Sequence, residues 1–215
     1  IKVDQRKYYQ YYISLLKTKH LILFTFFNNN DYNSKIIKID LLLFNFTSYF
    51  AVNTLFFNDN TMHQIYEDKG SFNINYQIPQ IIYSLLISVI LNMLIKKLAL
   101  SQGLILDFKE DKNTENKIDT RKETLKKKLK IKFILYFIIS SIFLLFFWFY
   151  ISLFCAIYIN TQIHLIKDTI ISFVLSLIYP FFINLIPGIF RIPSLSNPKI
   201  KRKYLYTISQ IIQII

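Results

Sequence analysis

The chain has 215 residues, 53% hydrophobic and 17% aromatic, with 3 glycines and 5 prolines, which excludes collagen-like, linker-like and disordered classes. Its 26 Lys and Arg outnumber 13 Asp and Glu, for a formal net charge of +13. An apolar chain with that surplus either binds a polyanion such as nucleic acid or crosses a membrane with its basic residues held on one side. The lone Cys155 excludes an internal disulfide framework and a cysteine-rich metal site. The wealth of Ile, Phe, Asn and Lys matches AT-biased coding and lowers the weight of any single such residue. A start at Ile1 and an apolar end read as a segment of a larger protein, with no targeting sequence inside it.

In chain order, residues 1–38 predict a basic juxtamembrane segment. Its apolar run 21–27 is too short to span a bilayer and reads as an interfacial helix, or as a small hairpin of an upstream domain, closed by an Asn-rich turn at 28–31. Four longer runs follow. A crossing needs about 20 apolar residues, with a range of roughly 17 to 25. Residues 41–57 are short for one, so Lys38 and Asp40 are expected at the edge, with Lys38 snorkelling outward. Residues 79–97 end on Lys96 and Lys97, residues 133–159 carry no charge at all, and residues 169–190 stop at Arg191. The predicted fold is therefore all-α: a polytopic membrane domain of four transmembrane helices in two hairpins, 39–100 and 133–190.

The basic residues test that division. Residues 1–38 hold seven, residues 96–132 twelve and residues 191–215 five, so 24 of the 26 lie in alternate segments, and only Lys69 and Lys167 fall in the two remaining loops. Four crossings put all 24 on one face, which the positive-inside rule makes cytosolic, along with both ends of the segment. The polyanion reading then loses its main support, and no nucleic-acid partner is expected. Its best remaining stretch, 109–132 within the 101–132 loop, interleaves Glu and Asp with Lys and has neither a Gly-rich loop nor an aromatic platform. That stretch reads as a solvated cytosolic helix. Its last part, Lys126, Lys127, Lys128, Lys130 and Lys132, is placed to contact an anionic cytosolic leaflet, at about 1 kcal/mol per charge near the surface.

The outer loop 58–78 spaces Asp59, His63 and Glu67 by four, so a helix there would align all three. They form a candidate divalent-metal site, against the plainer reading of an exposed polar helix face turning at Gly70. Within the second span Gln80, Ser84, Ser88 and Asn92 fall at steps of four, and in the fourth Ser172, Ser176, Pro180, Asn184 and Gly188 do the same. Small polar stripes mark faces where transmembrane helices approach and share hydrogen bonds, so Ser84, Ser88, Asn92, Ser172, Ser176 and Asn184 are the expected packing residues. The sharper alternative makes the stripes line a permeation path. Against it, no ionisable residue lies in the middle of a predicted span, and the prolines at 180 and 187 have no counterpart in another span.

No nucleophile elbow, zinc-protease motif, P-loop or dinucleotide fingerprint is present, and His20, His63 and His164 fall on separate segments. No enzymatic activity and no cofactor is expected.

The element order, with FAVNTLFFND at 50–59, IYSLLISVILNMLIKKL at 82–98, FFWFYISLFCAIY at 146–158 and DTIISFVLSLI at 168–178, resembles the early membrane helices of polycystin-1-type proteins, those that follow the PLAT domain. The resemblance covers roughly residues 38–190. It implies a non-catalytic anchoring and helix-packing region of a receptor-like or channel-associated surface protein, whose partners are the lipid bilayer and the remaining helices of the full-length protein. It leaves the oligomeric state open. A transporter or channel subunit, and an interaction scaffold acting through the 109–132 loop, are the alternatives.

Overall fold

The computed structural model describes residues 6–28, 31–57, 59–71, 74–110, 118–195 and 203–214. Among them every regular element is helical: α1 (Tyr8–Lys19), a π-helical turn (Leu23–Phe27), α2 (Lys35–Phe56), α3 (Asp59–Glu67), α4 (Ile74–Ala99), α5 (Gln102–Glu110), α6 (Ile118–Ile157), a 3-10 turn (Ile159–Thr161), α7 (Gln162–Ile183), α8 (Leu185–Leu195) and α9 (Lys203–Ile214). Four stretches are long and apolar enough to cross a membrane: Lys35–Phe56, Gln77–Ala99, Asp119–Ile157 and Ile159–Ser194. They expose large apolar side chains such as Leu43, Leu86, Leu145, Trp148, Phe149 and Phe182, as helices do when their outer solvent is hydrocarbon. The chain is thus an all-helical membrane protein with four candidate spans, and it divides into two compact units.

The larger unit, 30–174, is built around α2, the most buried of the four spans. At 22 residues α2 is about 33 Å long, close to the roughly 30 Å of a hydrocarbon core. One face packs on α4. Phe44, fully buried, meets Phe143 and Phe147 of α6 at ring separations of 6.3 and 5.9 Å, and Phe46 and Tyr49 meet Phe173 of α7 at 5.2 and 6.0 Å. At one end of the unit Phe57, Ile65, Phe154 and Leu165 form an apolar cluster below the short helix α3. There α3 stops because Lys69 and Gly70 both take left-handed backbone angles (φ 51° and 78°), which lets the Gly70 N–H close on the Ile65 carbonyl at 2.9 Å.

The opposite end gathers the start of α2, the end of α4 and the basic part of α6. Asn33 accepts from the backbone N–H groups of Ser101 and Gln102 at 2.9 and 3.2 Å, while the Ser101 hydroxyl donates to the Tyr32 carbonyl at 2.8 Å. Lys132 donates to the Leu100 carbonyl at 2.6 Å, closing the C-terminus of α4, where a cation is favoured by the helix dipole. Lys38 does not snorkel outward. It is buried and paired with buried Asp31 at 2.6 Å, because the bend at 31–33 folds a carboxylate back over the start of α2. Asp40 accepts from the Tyr136 hydroxyl of α6.

Several boundaries move from those expected. α2 begins at Lys35, and α4 begins at Ile74 rather than 79, since a proline near a helix start removes only one hydrogen bond, the one to the carbonyl four residues back. The span expected at 133–159 belongs to a single 40-residue helix from Ile118 to Ile157, so the basic part of the expected 101–132 loop is the first third of α6. Of that loop, 111–117 lie outside the described residues.

The smaller unit, 1–29 with 175–215, joins the two ends of the chain. The helix expected at 169–190 breaks at Asn184, because Pro187 lacks an N–H and its ring collides with the carbonyl of Ile183. Tyr12 and Tyr8 of α1 donate to the Phe181 and Leu185 carbonyls beside the break at 3.0 and 2.7 Å. Gly188 is required for this packing: a Cβ there would stand 2.6 Å from the Tyr8 ring. Arg191 lies 5.3 Å from the ring centres of both Tyr11 and Tyr206, holding α8 between α1 and α9. His20, buried against Phe181 at 4.6 Å, accepts the Leu23 N–H at Nδ1, and burial pushes its imidazole below the usual histidine range. The short N-terminal run is thus part of a helical cluster with the chain's C-terminal elements. Of the turn expected at 28–31, residues 29 and 30 lie outside the described residues, as do 196–202 of the basic tail.

Removing one partner of the buried pair is the direct check on the clamp at the basic end. Lys38→Ala is expected to destabilise the folded chain by roughly 3 kcal/mol in detergent, by leaving Asp31 buried without its cation. The double variant Lys38→Met with Asp31→Leu should recover most of that loss in the same denaturation measurement.

Candidate functional site

The 3.6-residue period of α4 brings Gln77, Gln80, Ser84 and Ser88 onto one face, and each is buried. Asn92, one turn further, is half-buried. From Gln77 to Asn92 the rise is about 22 Å, most of the depth of a hydrocarbon core. Facing this stripe are Ser48 and Asn53 of α2 and Asp168, Thr169 and Ser172 of α7, all fully buried.

The side chains join in sequence. Gln80 donates from Nε2 to Asp168 Oδ2 at 3.2 Å. Ser84 and Ser172 share a hydrogen bond at 3.1 Å. Asn53 Nδ2 reaches both Thr169 Oγ1 and Ser172 Oγ at 3.4 Å, and Asn92 Nδ2 donates to Ser48 Oγ at 2.9 Å. The result is a polar seam tying α2, α4 and α7 together inside the larger unit. In hydrocarbon such interhelical hydrogen bonds contribute about 0.6 to 2 kcal/mol each, where apolar contact alone gives helices little preference for one another over lipid.

The seam is not fully paired. Among the described residues, Asn53 Oδ1, both amide atoms of Gln77, Gln80 Oε1, Ser88 Oγ, Asn92 Oδ1 and Asp168 Oδ1 are buried with no hydrogen-bond partner. Leaving a neutral polar group unpaired in an apolar surround costs on the order of 1 to 3 kcal/mol, and a carboxylate more. Buried polar atoms without a partner are uncommon, and seven of them fall in this one seam.

Of the residues expected from sequence, Ser84, Ser88, Asn92 and Ser172 lie in the seam. Ser176 and Asn184 are buried but belong to the smaller unit, with Asn184 at the break after α7, so the expected stripe from 172 to 188 does not run down one helix. Asn53, Thr169, Gln77, Ser48 and Asp168 were not expected. Asp168 had been placed outside the fourth span. Because α7 begins at Gln162, this carboxylate sits six residues, about 9 Å, inside the helix.

The other expected sites lie elsewhere. Asp59, His63 and Glu67 are all exposed on α3, with His63 Nε2 and Glu67 Oε1 3.1 Å apart. Among the described residues no group of three or more His, Cys, Asp or Glu is arranged to hold a metal ion. Lys126, Lys127, Lys128 and Lys130 are exposed on α6, Lys126 paired with Glu123 at 3.0 Å, whereas Lys132 turns inward to the Leu100 carbonyl. No protein-family model, curated protein or solved structure matches this chain.

Because Asn53 and Ser84 share Ser172, their effects should couple. Asn53→Leu is expected to cost about 1 kcal/mol of unfolding free energy in detergent and Ser84→Ala somewhat less. The double variant should fall short of the sum, and strict additivity would show that the two do not act through Ser172.

Proposed function

We propose that this chain is a non-catalytic, multi-pass membrane domain that anchors and packs further helices of a receptor-like or channel-associated surface protein, in the manner of the polycystin-1-type helices it resembles. The observation that carries this reading is the seam: its side-chain hydrogen bonds run from helix to helix, as in a unit that holds spans in register. The broad apolar faces left on α6 supply area for neighbouring spans. On this reading both ends lie in the cytosol and the domain in the plasma membrane, with Lys126, Lys127, Lys128 and Lys130 against the anionic inner leaflet. Support comes from 24 of 26 basic residues in alternate segments and from the meeting of the α2 start, the α4 end and the basic part of α6 at one end of the larger unit.

A second reading, a transporter or channel subunit whose path follows the seam, is favoured by its unpartnered polar atoms and by the broken helix at Asn184. Flux in reconstituted vesicles separates the two. The anchoring reading expects Ser84→Ala and Asn92→Leu, which remove bonds to Ser172 and Ser48, to weaken helix association or assembly with no ion or solute flux above protein-free vesicles. A flux that these substitutions abolish would replace it with the conducting one.

Topology is tested by cysteine labelling in a Cys155→Ser background. His63→Cys should react with an impermeant maleimide on intact cells and Lys127→Cys only after permeabilisation. The reverse pattern would overturn the orientation.

A further inference from the structure

The unpartnered atoms of the seam are not evenly spread in kind or in place. Around the Gln80–Asp168 pair the buried unpartnered atoms are Asn53 Oδ1, Gln77 Oε1, Gln80 Oε1 and Asp168 Oδ1, four acceptor oxygens, against a single nitrogen, Gln77 Nε2. Gln80 and Asp168 are in contact at 3.2 Å. Gln77 lies three residues before Gln80 on the same buried face of α4, and Asn53 is tied to Thr169, the residue after Asp168. Gln77, Asn53 and Asp168 are all fully buried. What the cluster lacks is positive charge and hydrogen-bond donors.

The geometry points to a binding site for a single monovalent cation, of the sodium or potassium class, at the α2–α4–α7 junction, coordinated by oxygens of Asn53, Gln77, Gln80 and Asp168. Hard carboxylate and amide oxygens are the ligands such ions take in place of water, and a lone carboxylate inside a membrane helix is a mark of an ion site. Charge decides the valence. One carboxylate and three neutral amides balance one positive charge, whereas a divalent ion would leave a net charge in a low-dielectric interior. Number decides against a proton alone. A protonated Asp168 provides one donor and leaves the other acceptors as they were. Lys167, next in sequence, is exposed rather than turned into the cluster, and His164, one turn earlier on α7 and buried, is the neighbouring titratable group. A cation here would draw three spans onto one centre, which goes beyond the anchoring role and holds whether the domain anchors or conducts.

The test uses the full chain in lipid nanodiscs at fixed pH and constant ionic strength, comparing sodium or potassium chloride with N-methyl-D-glucamine chloride. The smaller cations should raise Tm by about 5 °C at a hundredfold excess over Kd. Radioactive sodium or rubidium should bind at one per chain. Asp168→Asn, which keeps the shape and the Gln80 contact, should lose both effects. Gln77→Leu, which breaks no hydrogen bond that the structure shows, should weaken cation binding at least tenfold with a Tm in N-methyl-D-glucamine no lower than the parent's, and it carries the test if Asp168→Asn does not fold. Equal Tm and no binding in any salt, a cation response that survives in Gln77→Leu at full strength, or a Tm that follows pH alone would each overturn the site. Loss of cation binding with assembly intact would leave the anchoring role standing, so the two can fail separately.

Discussion

Hydrocarbon gives an apolar helix no reason to prefer another helix over a lipid tail, so the arrangement of the spans depends on the few polar groups that cannot be left in lipid. In this chain those groups are the side chains along α2, α4 and α7. Asn53 bonds to Thr169 and Ser172, Ser84 shares Ser172, Gln80 reaches Asp168 and Asn92 reaches Ser48. Each contact fixes the rotation of one helix against another, because a turn of about 100° per residue would carry the side chain into lipid. The aromatic contacts of Phe44, Phe46 and Tyr49 then fill the space that this registration sets.

The two ends of the larger unit solve different problems. At the end holding α3, the chain reverses through an apolar cluster and a left-handed turn, with exposed polar side chains outside. At the basic end, charges are used structurally as well as for topology: Lys38 neutralises Asp31, Lys132 closes α4, and Asn33 meets the first N–H groups of α5. Lys127, Lys128 and Lys130 stay exposed on α6, and Lys126, also exposed, pairs with Glu123. A single basic stretch therefore divides between clamp and surface according to which face of the helix each residue occupies.

The smaller unit shows how a membrane-type helix tolerates interruption. Pro180 sits inside α7 without ending it, while Pro187 ends it at Ile183. The difference lies in what surrounds each proline. Beside the break, tyrosine hydroxyls from α1 take the carbonyls of Phe181 and Leu185, and Gly188 lets the Tyr8 ring approach. Backbone groups released by a break are affordable only where a neighbouring element can meet them.

By itself the sequence determined the helical class, the number of candidate spans and the alternation of basic segments, because these follow from run length and charge placement along one dimension. The stripe of Ser84, Ser88 and Asn92 was also legible, since a four-residue repeat is visible on any single helix. The sequence could not show Asn53, Gln77 or Asp168. Asn53 and Gln77 look like ordinary polar residues near helix ends, and Asp168 falls one residue outside the uncharged run at 169–190, because a charge ends such a run. Only the tertiary structure decided that α7 begins at Gln162, that Lys38 turns inward, that the Ser172 to Gly188 stripe divides at Asn184, and that polar side chains of α2, α4 and α7 meet in one seam. The physical reason is that whether a polar atom is satisfied depends on the helix opposite it, and no periodicity within one helix specifies that partner.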